Sequence, residues 1–146
     1  MSVSKLSQWE AILLEAIRQQ GIEEEELLAL CKEGDYQKFY QIDAGKFDFS
    51  DLLELARKDW ATFEHAVRKG YQVKFSTYGG IKTLLRLRYG LEADKDYHSE
   101  ETCLDQVKLQ REELDWLRST ISPNWSFLEQ GVDKESGKIV VRIQLT

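Results

Sequence analysis

Residues 70–90, GYQVKFSTYGGIKTLLRLRYG, decide how this chain is read. Tyr71, Val73 and Phe75 alternate with Gln72 and Lys74, the period of a short half-buried strand. Ser76 or Thr77 then caps a helix that begins near Gly79 and stops at Gly90. At 100° per residue Ile81, Leu84 and Leu85 share one face, while Lys82 and Arg86, four apart, fall on the opposite side near Thr83. Arg88 points back toward the apolar side. A strand that feeds a helix, with amphipathic helices before it and alternating strands after it, predicts an α+β fold.

The same stretch is the basic part of an acidic protein. Between His65 and Leu91 there is no acid, and Arg68, Lys69, Lys74, Lys82, Arg86 and Arg88 give +6 within a chain of net −6, so the remainder carries −12. Tyr71, Phe75, Tyr78 and Tyr89 interleave with these cations. Cations among stacking rings are the composition that holds single-stranded nucleic acid. They also suit an acidic protein surface, and a helix opened by Gly79–Gly80 can offer backbone N–H groups to a phosphate or carboxylate. The competing structural account makes Tyr71 and Phe75 core residues and the cations a counterweight to the acidic remainder.

Upstream, residues 48–70 predict a helix in which Leu52, Leu55, Ala56, Phe63 and Val67 form one stripe flanked by Trp60. Asp48 caps it, Phe47 and Leu52 are spaced as a hydrophobic staple, Arg68 and Lys69 occupy the last turn, and Gly70 stops it. An earlier helix is expected from about Ser4 to Gln20, with Trp9, Ile12, Leu13, Ala16 and Ile17 on one side and Gly21 as its stop. A second follows at once, its first turn holding Glu23 to Glu26, where the helix dipole favours negative charge, and its buried side Leu27, Leu28, Leu30 and Cys31. Residues 35–47 read as a connector. Residues 26–32 resemble residues 51–57, and with one gap Asp35, Tyr36 and Phe39 match Asp59, Trp60 and Phe63. Shared helical periodicity explains that likeness, and two copies do not make a solenoid.

Downstream, residues 91–105 carry Glu92, Asp94, Asp96, Glu100, Glu101 and Asp105 against Lys95, and are expected to be an exposed linker. Val107 and Leu109 add a short extended piece, and a helix with Leu114, Leu117 and Ile121 on its inner face follows until Ser122-Pro123-Asn124 breaks the chain. The end predicts a β-hairpin. Trp125 and Phe127 alternate in its first arm, residues 131–137 form the loop, and Ile139, Val141, Ile143 and Leu145 share one face of the second arm.

The whole chain of 146 residues, 42% hydrophobic, is read as a single domain, residues 1–47 forming an N-terminal helical part and residues 48–146 a helix-strand-helix-helix-hairpin part. The fold class expected is α+β, about five helices packed with a small antiparallel sheet that includes the C-terminal hairpin. A small sheet built from the Tyr71 strand and that hairpin is the expected pairing. No apolar run reaches the roughly 18–20 residues needed to span a bilayer, and the N-terminus lacks the pattern of a signal peptide, so a cytoplasmic protein without a membrane partner is expected. Cys31 and Cys103 have no CxxC spacing and fit reduced thiols.

Motifs for chemistry fail on residue type. Asp94, Asp96 and His98 suggest a calcium loop, but Ser99 stands where the turn glycine is required and Asp105 where a bidentate glutamate is required. Residues 131–138 exceed the spacing of a phosphate loop by one, and Ile139 replaces the hydroxyl that holds magnesium. His65 has no second ligand four residues on, and His98 lies near Cys103 and several carboxylates without a ligand pattern, so no metal or other cofactor is expected. From Asp48 onward the order helix, strand, helix, helix, hairpin resembles that of a winged-helix module with residues 131–137 as the wing, which implies nucleic-acid binding. The helix in the recognition position carries Glu112, Glu113 and Asp115 beside Arg111 and Arg118, a charge that a duplex backbone repels.

The residues therefore favour a small interaction or regulatory protein without catalysis of its own, which contacts an acidic partner through the basic strand-helix surface of residues 68–88. Its candidate contact residues are Lys69, Lys74, Tyr78, Lys82, Arg86 and Arg88. Nucleic-acid binding is the alternative, and an enzyme or small-ligand binder with an unrecognised site is the third. The oligomeric state leaves no mark in the sequence.

Overall fold

The computed structural model describes residues 4–34, 39 and 47–146. The connector expected at residues 35–47 and the Asp35-Tyr36 part of the repeat fall outside the described residues, apart from Phe39 and Phe47. Six helices, a small parallel sheet and a four-stranded antiparallel sheet ending in a β5–β6 hairpin make an α+β fold among the described residues. The chain packs as two compact units, Met1–Lys74 and Phe75–Thr146. No helix among the described residues is long and apolar enough to cross a membrane.

In the first unit the chain starts as a strand, β1 (Ser4–Leu6), not as a helix. Helix α1 (Gln8–Gln19) begins only after Ser7, because Ser7 and Glu10 close a capping box. The Ser7 hydroxyl accepts from the Glu10 amide at 3.1 Å, and the Glu10 carboxylate accepts from the Ser7 amide at 2.8 Å. Residues Ala11 to Ile17 of α1 are all buried, Glu15 among them. Helix α2 (Glu24–Glu33) has Glu24, Glu25 and Glu26 in its first turn and ends at Gly34, whose φ of 72° is left-handed and suits glycine.

The long helix expected at residues 48–70 is two helices, α3 (Ser50–Lys58) and α4 (Trp60–Lys69). Asp59 makes the break. Its backbone leaves helical geometry (φ −143°, ψ 71°), and its carboxylate accepts from the Thr62 amide at 3.2 Å and the Thr62 hydroxyl at 2.8 Å. A strong N-cap inside an unbroken apolar stripe thus starts a new helix. Strand β2 (Tyr71–Val73) pairs in parallel with β1, Ser4 opposite Tyr71 and Leu6 opposite Val73, rather than with the C-terminal hairpin. Tyr71 and Val73 are buried, whereas Phe75 is 63% exposed. The ladder ends where the Lys74 amide donates to the Leu6 carbonyl, so the alternation stops before Phe75.

In the second unit the sheet order is β3 (His98–Ser99), β4 (Cys103–Leu109), β6 (Ile139–Leu145), β5 (Trp125–Val132). Helices α5 (Tyr78–Tyr89) and α6 (Arg111–Thr120) join it. Leu104, Val107, Leu109, Val141 and Ile143 from the strands, and Ile81, Leu84, Leu85, Leu114 and Leu117 from the helices, are almost wholly buried. Leu145, expected on the inner face, is 51% exposed at the end of β6. The segment before α5 is fastened by buried polar bonds. The Ser76 amide donates to the Ser122 hydroxyl at 2.7 Å, and the Trp125 indole donates to the Ser76 carbonyl at 2.8 Å.

Residues 91–105 are not an exposed linker. Tyr97, Cys103 and Leu104 are buried, and β3 and the start of β4 lie within the segment. Its carboxylates organise the turn: Asp96 accepts from the Glu92 amide at 2.8 Å, and Asp94 accepts from the Ser99 amide at 3.0 Å and hydroxyl at 2.8 Å. Asp94 itself sits at φ 62°, a left-handed position that Asp tolerates better than most residues.

Candidate functional site

Helix α5 starts where Thr77 caps it, the Thr77 hydroxyl accepting from the Gly80 amide at 3.2 Å. That amide is therefore engaged within the chain. A Cβ on Gly79 would meet nothing within 4 Å, so no close approach demands glycine there. The helix ends at Gly90, left-handed at φ 68°.

The six candidate residues divide between the two units. Lys69 and Lys74 belong to the first and are exposed. Tyr78, Lys82, Arg86 and Arg88 belong to α5 in the second, where they are half-buried. Lys82 and Arg86 lie away from buried Ile81, Leu84 and Leu85, as their spacing predicts, and the turn at residues 91–97 folds beside them. Their environments differ from that of Arg88. The Arg88 guanidinium lies 3.8 Å from the centre of the Trp116 ring, and Tyr89 meets Trp116 edge-on at 6.3 Å. Arg88 thus serves packing of α5 on α6 through a cation–π contact. Lys82 has its ammonium 4.6 Å from the centre of the Tyr78 ring, and the Tyr78 hydroxyl donates to the Glu100 carbonyl.

Most other arginines are matched to acids within their units. Arg18 meets Glu15, Arg57 meets Glu54, Arg68 meets Glu25 and Glu64, and Arg142 meets Asp105 and Glu100. Arg111 and Arg118, the cations of α6, both bind Glu129 at 3.0 Å. Their guanidiniums hold the Glu129 carboxyl below the usual carboxylate range. Lys82 and Arg86 form no ion pair among the described residues; Lys82 contributes only a minor share to the lowering of the Asp94 pKa, which the Ser99 hydrogen bonds dominate. Beside them opens a pocket of about 200 Å³ that Tyr97 also lines.

Two other side-chain clusters bring groups of catalytic or metal-binding type together. Ser4 and His65, 61 residues apart in sequence, meet with the serine oxygen 2.8 Å from Nδ1, at a polar pocket of about 490 Å³ lined also by Glu10, Asp59 and Lys74. Their meeting depends on β1 lying beside α4, which no spacing in the sequence encodes. The Ser4 hydroxyl also lies 3.2 Å from the Thr62 carbonyl, and the direction of its bond with His65 follows the ring tautomer. The two contacts fasten β1 to α4. Around His98, the ring nitrogens lie 4.0 Å from Asp94 and 3.9 Å from Glu100, and the Cys103 thiol donates to Glu100 at 3.3 Å. No group of three His, Cys, Asp or Glu among the described residues is placed to hold a metal.

Comparison of the chain with protein-family models, with curated proteins and with solved structures finds no match.

Proposed function

We propose that this chain is a small interaction protein without catalysis of its own, and that α5 is the surface that meets an acidic partner protein. The observation that carries this reading is the state of Lys82 and Arg86. They sit one helical turn apart, half-exposed, and make no ion pair among the described residues of a chain rich in carboxylates. Lys82 lies over the Tyr78 ring, but with no carboxylate paired to either cation their charge is open to a partner, and opposite potentials speed and orient association.

Nucleic acid is the second reading, and it rests on the same cations and on Tyr78. The arrangement of α6 weighs against its winged-helix form, since both arginines of that helix are spent on Glu129 while Glu112 and Asp115 remain exposed. Fluorescence anisotropy with two labelled probes, a glutamate-rich peptide and a single-stranded oligonucleotide, separates the two. The proposal predicts saturable binding of the peptide with a shallow salt dependence. Tighter binding of the oligonucleotide, with log affinity falling steeply and linearly in log salt, overturns it in favour of nucleic acid.

A further inference from the structure

A sheet edge is a row of unpaired N–H and C=O groups, and an open one pairs with another strand. The four-stranded sheet has two such edges. One is β3, which is two residues long and offers little to pair with. The other is β5, which runs for eight residues and has β6 on one side only. Its Leu128 and Val132 are 43% and 62% exposed, so the strand is long, partly apolar and uncovered from Leu128 onward. Of the two edges, β5 is the one through which copies of this chain would associate.

The ladder fixes which backbone groups face outward. The Thr146 amide donates to the Asn124 carbonyl at 2.9 Å, and bonded and non-bonded pairs alternate from there. Ser126 and Leu128 therefore bond to β6, while Trp125, Phe127 and Glu129 turn their amides and carbonyls to the free side. Two of these outward groups are occupied. The Trp125 amide donates to the Ser122 carbonyl at 3.2 Å. The Phe127 carbonyl accepts from the Arg118 guanidinium, reaching over from α6, at 2.9 Å. The other terminal nitrogen of Arg118 donates to the Glu129 carboxylate at 3.0 Å, which Arg111 also holds. The guanidinium is thus tied to the edge at two points, and a strand laid along β5 meets it before it reaches the Phe127 carbonyl.

We propose that Arg118 guards this edge, and that without it β5 pairs with β5 of a second copy of the chain. The occupant follows from the strand itself. An antiparallel two-fold pairing about Leu128 sets Phe127 of each copy opposite Glu129 of the other, and Leu128 opposite itself. The outward amides and carbonyls of Phe127 and Glu129 then satisfy one another, and the apolar side chains meet. Arg111 stays on Glu129 when Arg118 is removed, so the carboxylates do not oppose the approach. This inference is independent of the reading of α5.

Sedimentation equilibrium of wild type and Arg118→Ala, with NMR hydrogen exchange of the β5 amides, tests it. Wild type is expected to remain a monomer. Arg118→Ala should keep its fold by circular dichroism, because the ion pair it loses is solvent-exposed. Its mass should rise to that of a dimer with increasing concentration, and exchange of the Phe127 and Glu129 amides should slow in step. A folded Arg118→Ala protein that stays monomeric overturns the proposal. So does a dimer in which those two amides exchange as fast as in the monomer, and so does a wild-type protein that already pairs through β5. Should Arg118→Ala fail to fold, Arg118→Gln, which removes the charge and keeps a helix-forming side chain, carries the same test with the same outcomes.

Discussion

Tyr71→Phe removes one hydrogen bond from the centre of the first unit and leaves the ring in place. The Tyr71 hydroxyl donates to Glu15 at 2.7 Å, and the two residues are 4% and 2% exposed. The same carboxylate oxygen takes a hydrogen bond from Arg18 at 3.2 Å, and Arg18 also donates to the Val67 carbonyl at 2.8 Å. The trio thereby ties β2 and the end of α4 to α1. A hydrogen bond to a charged acceptor in such a setting contributes about 1.5–3 kcal/mol, because its loss leaves a buried carboxylate with one donor fewer. For a chain of this length that corresponds to a fall in Tm of roughly 5–10 °C. Urea denaturation followed by circular dichroism measures it. Against a Glu15→Gln background the same change should cost less than about 1 kcal/mol, since a neutral acceptor is left behind. A cost within about 0.5 kcal/mol of zero in wild type, or an equal cost in both backgrounds, refutes the assignment of Glu15 and Tyr71 as a coupled buried pair.

In the hairpin, Ile143→Ala should cost about 2–5 kcal/mol and Leu145→Ala under about 0.5, because the first side chain is fully buried and the second half-exposed; equal losses contradict the inner face assigned to β6. The Cys31 thiol is buried and its pKa pushed up to about 12 by that burial, so at pH 8 a thiol reagent should label it only through unfolding, and rapid labelling of the native protein contradicts this. Asp94 has its carboxyl pKa lowered, first by the Ser99 amide and then by the Ser99 hydroxyl. A depressed folded pKa contributes stability that is complete above the ordinary aspartate value of about 3.9 and is lost as pH falls through the lower folded value. Asp94→Asn should therefore flatten the acid limb of stability, and an NMR titration placing Asp94 at or above about 3.9 contradicts the turn described for residues 92–99.

Local signals were legible in the chain, and long-range ones were not. Helix α5 carries its own cap at Thr77, its stop at Gly90 and its apolar spacing, and β6 carries a clean alternation, so both elements follow from neighbouring residues. Strand β1 has three residues and exists because β2, about 67 positions later, pairs with it. The stripe through α3 and α4 continues across Asp59 and hides the capping that divides it. The acidity of residues 91–105 suggested exposure, yet Asp94 and Asp96, themselves exposed, bind backbone amides and close a turn while Tyr97 and Leu104 go into the core. Lys82 and Arg86 were visible as a pair on one face. The Tyr97 hydroxyl, buried without a hydrogen-bond partner among the described residues, was not, because a missing partner is a property of the folded surroundings rather than of any residue type.

Charge reversal at α5 tests the central claim most directly. Lys82→Glu combined with Arg86→Glu alters two half-exposed side chains that form no ion pair among the described residues. The double variant should keep its Tm within about 2 °C of wild type, as exposed charges contribute little to stability. Its affinity for the glutamate-rich peptide should be lost at low salt, with the difference from wild type shrinking as salt rises toward and beyond about 0.15 M, where screening limits exposed charges to about 8 Å. A double variant that unfolds assigns these cations to the fold, and one that stays folded and binds the peptide as wild type does removes α5 from recognition.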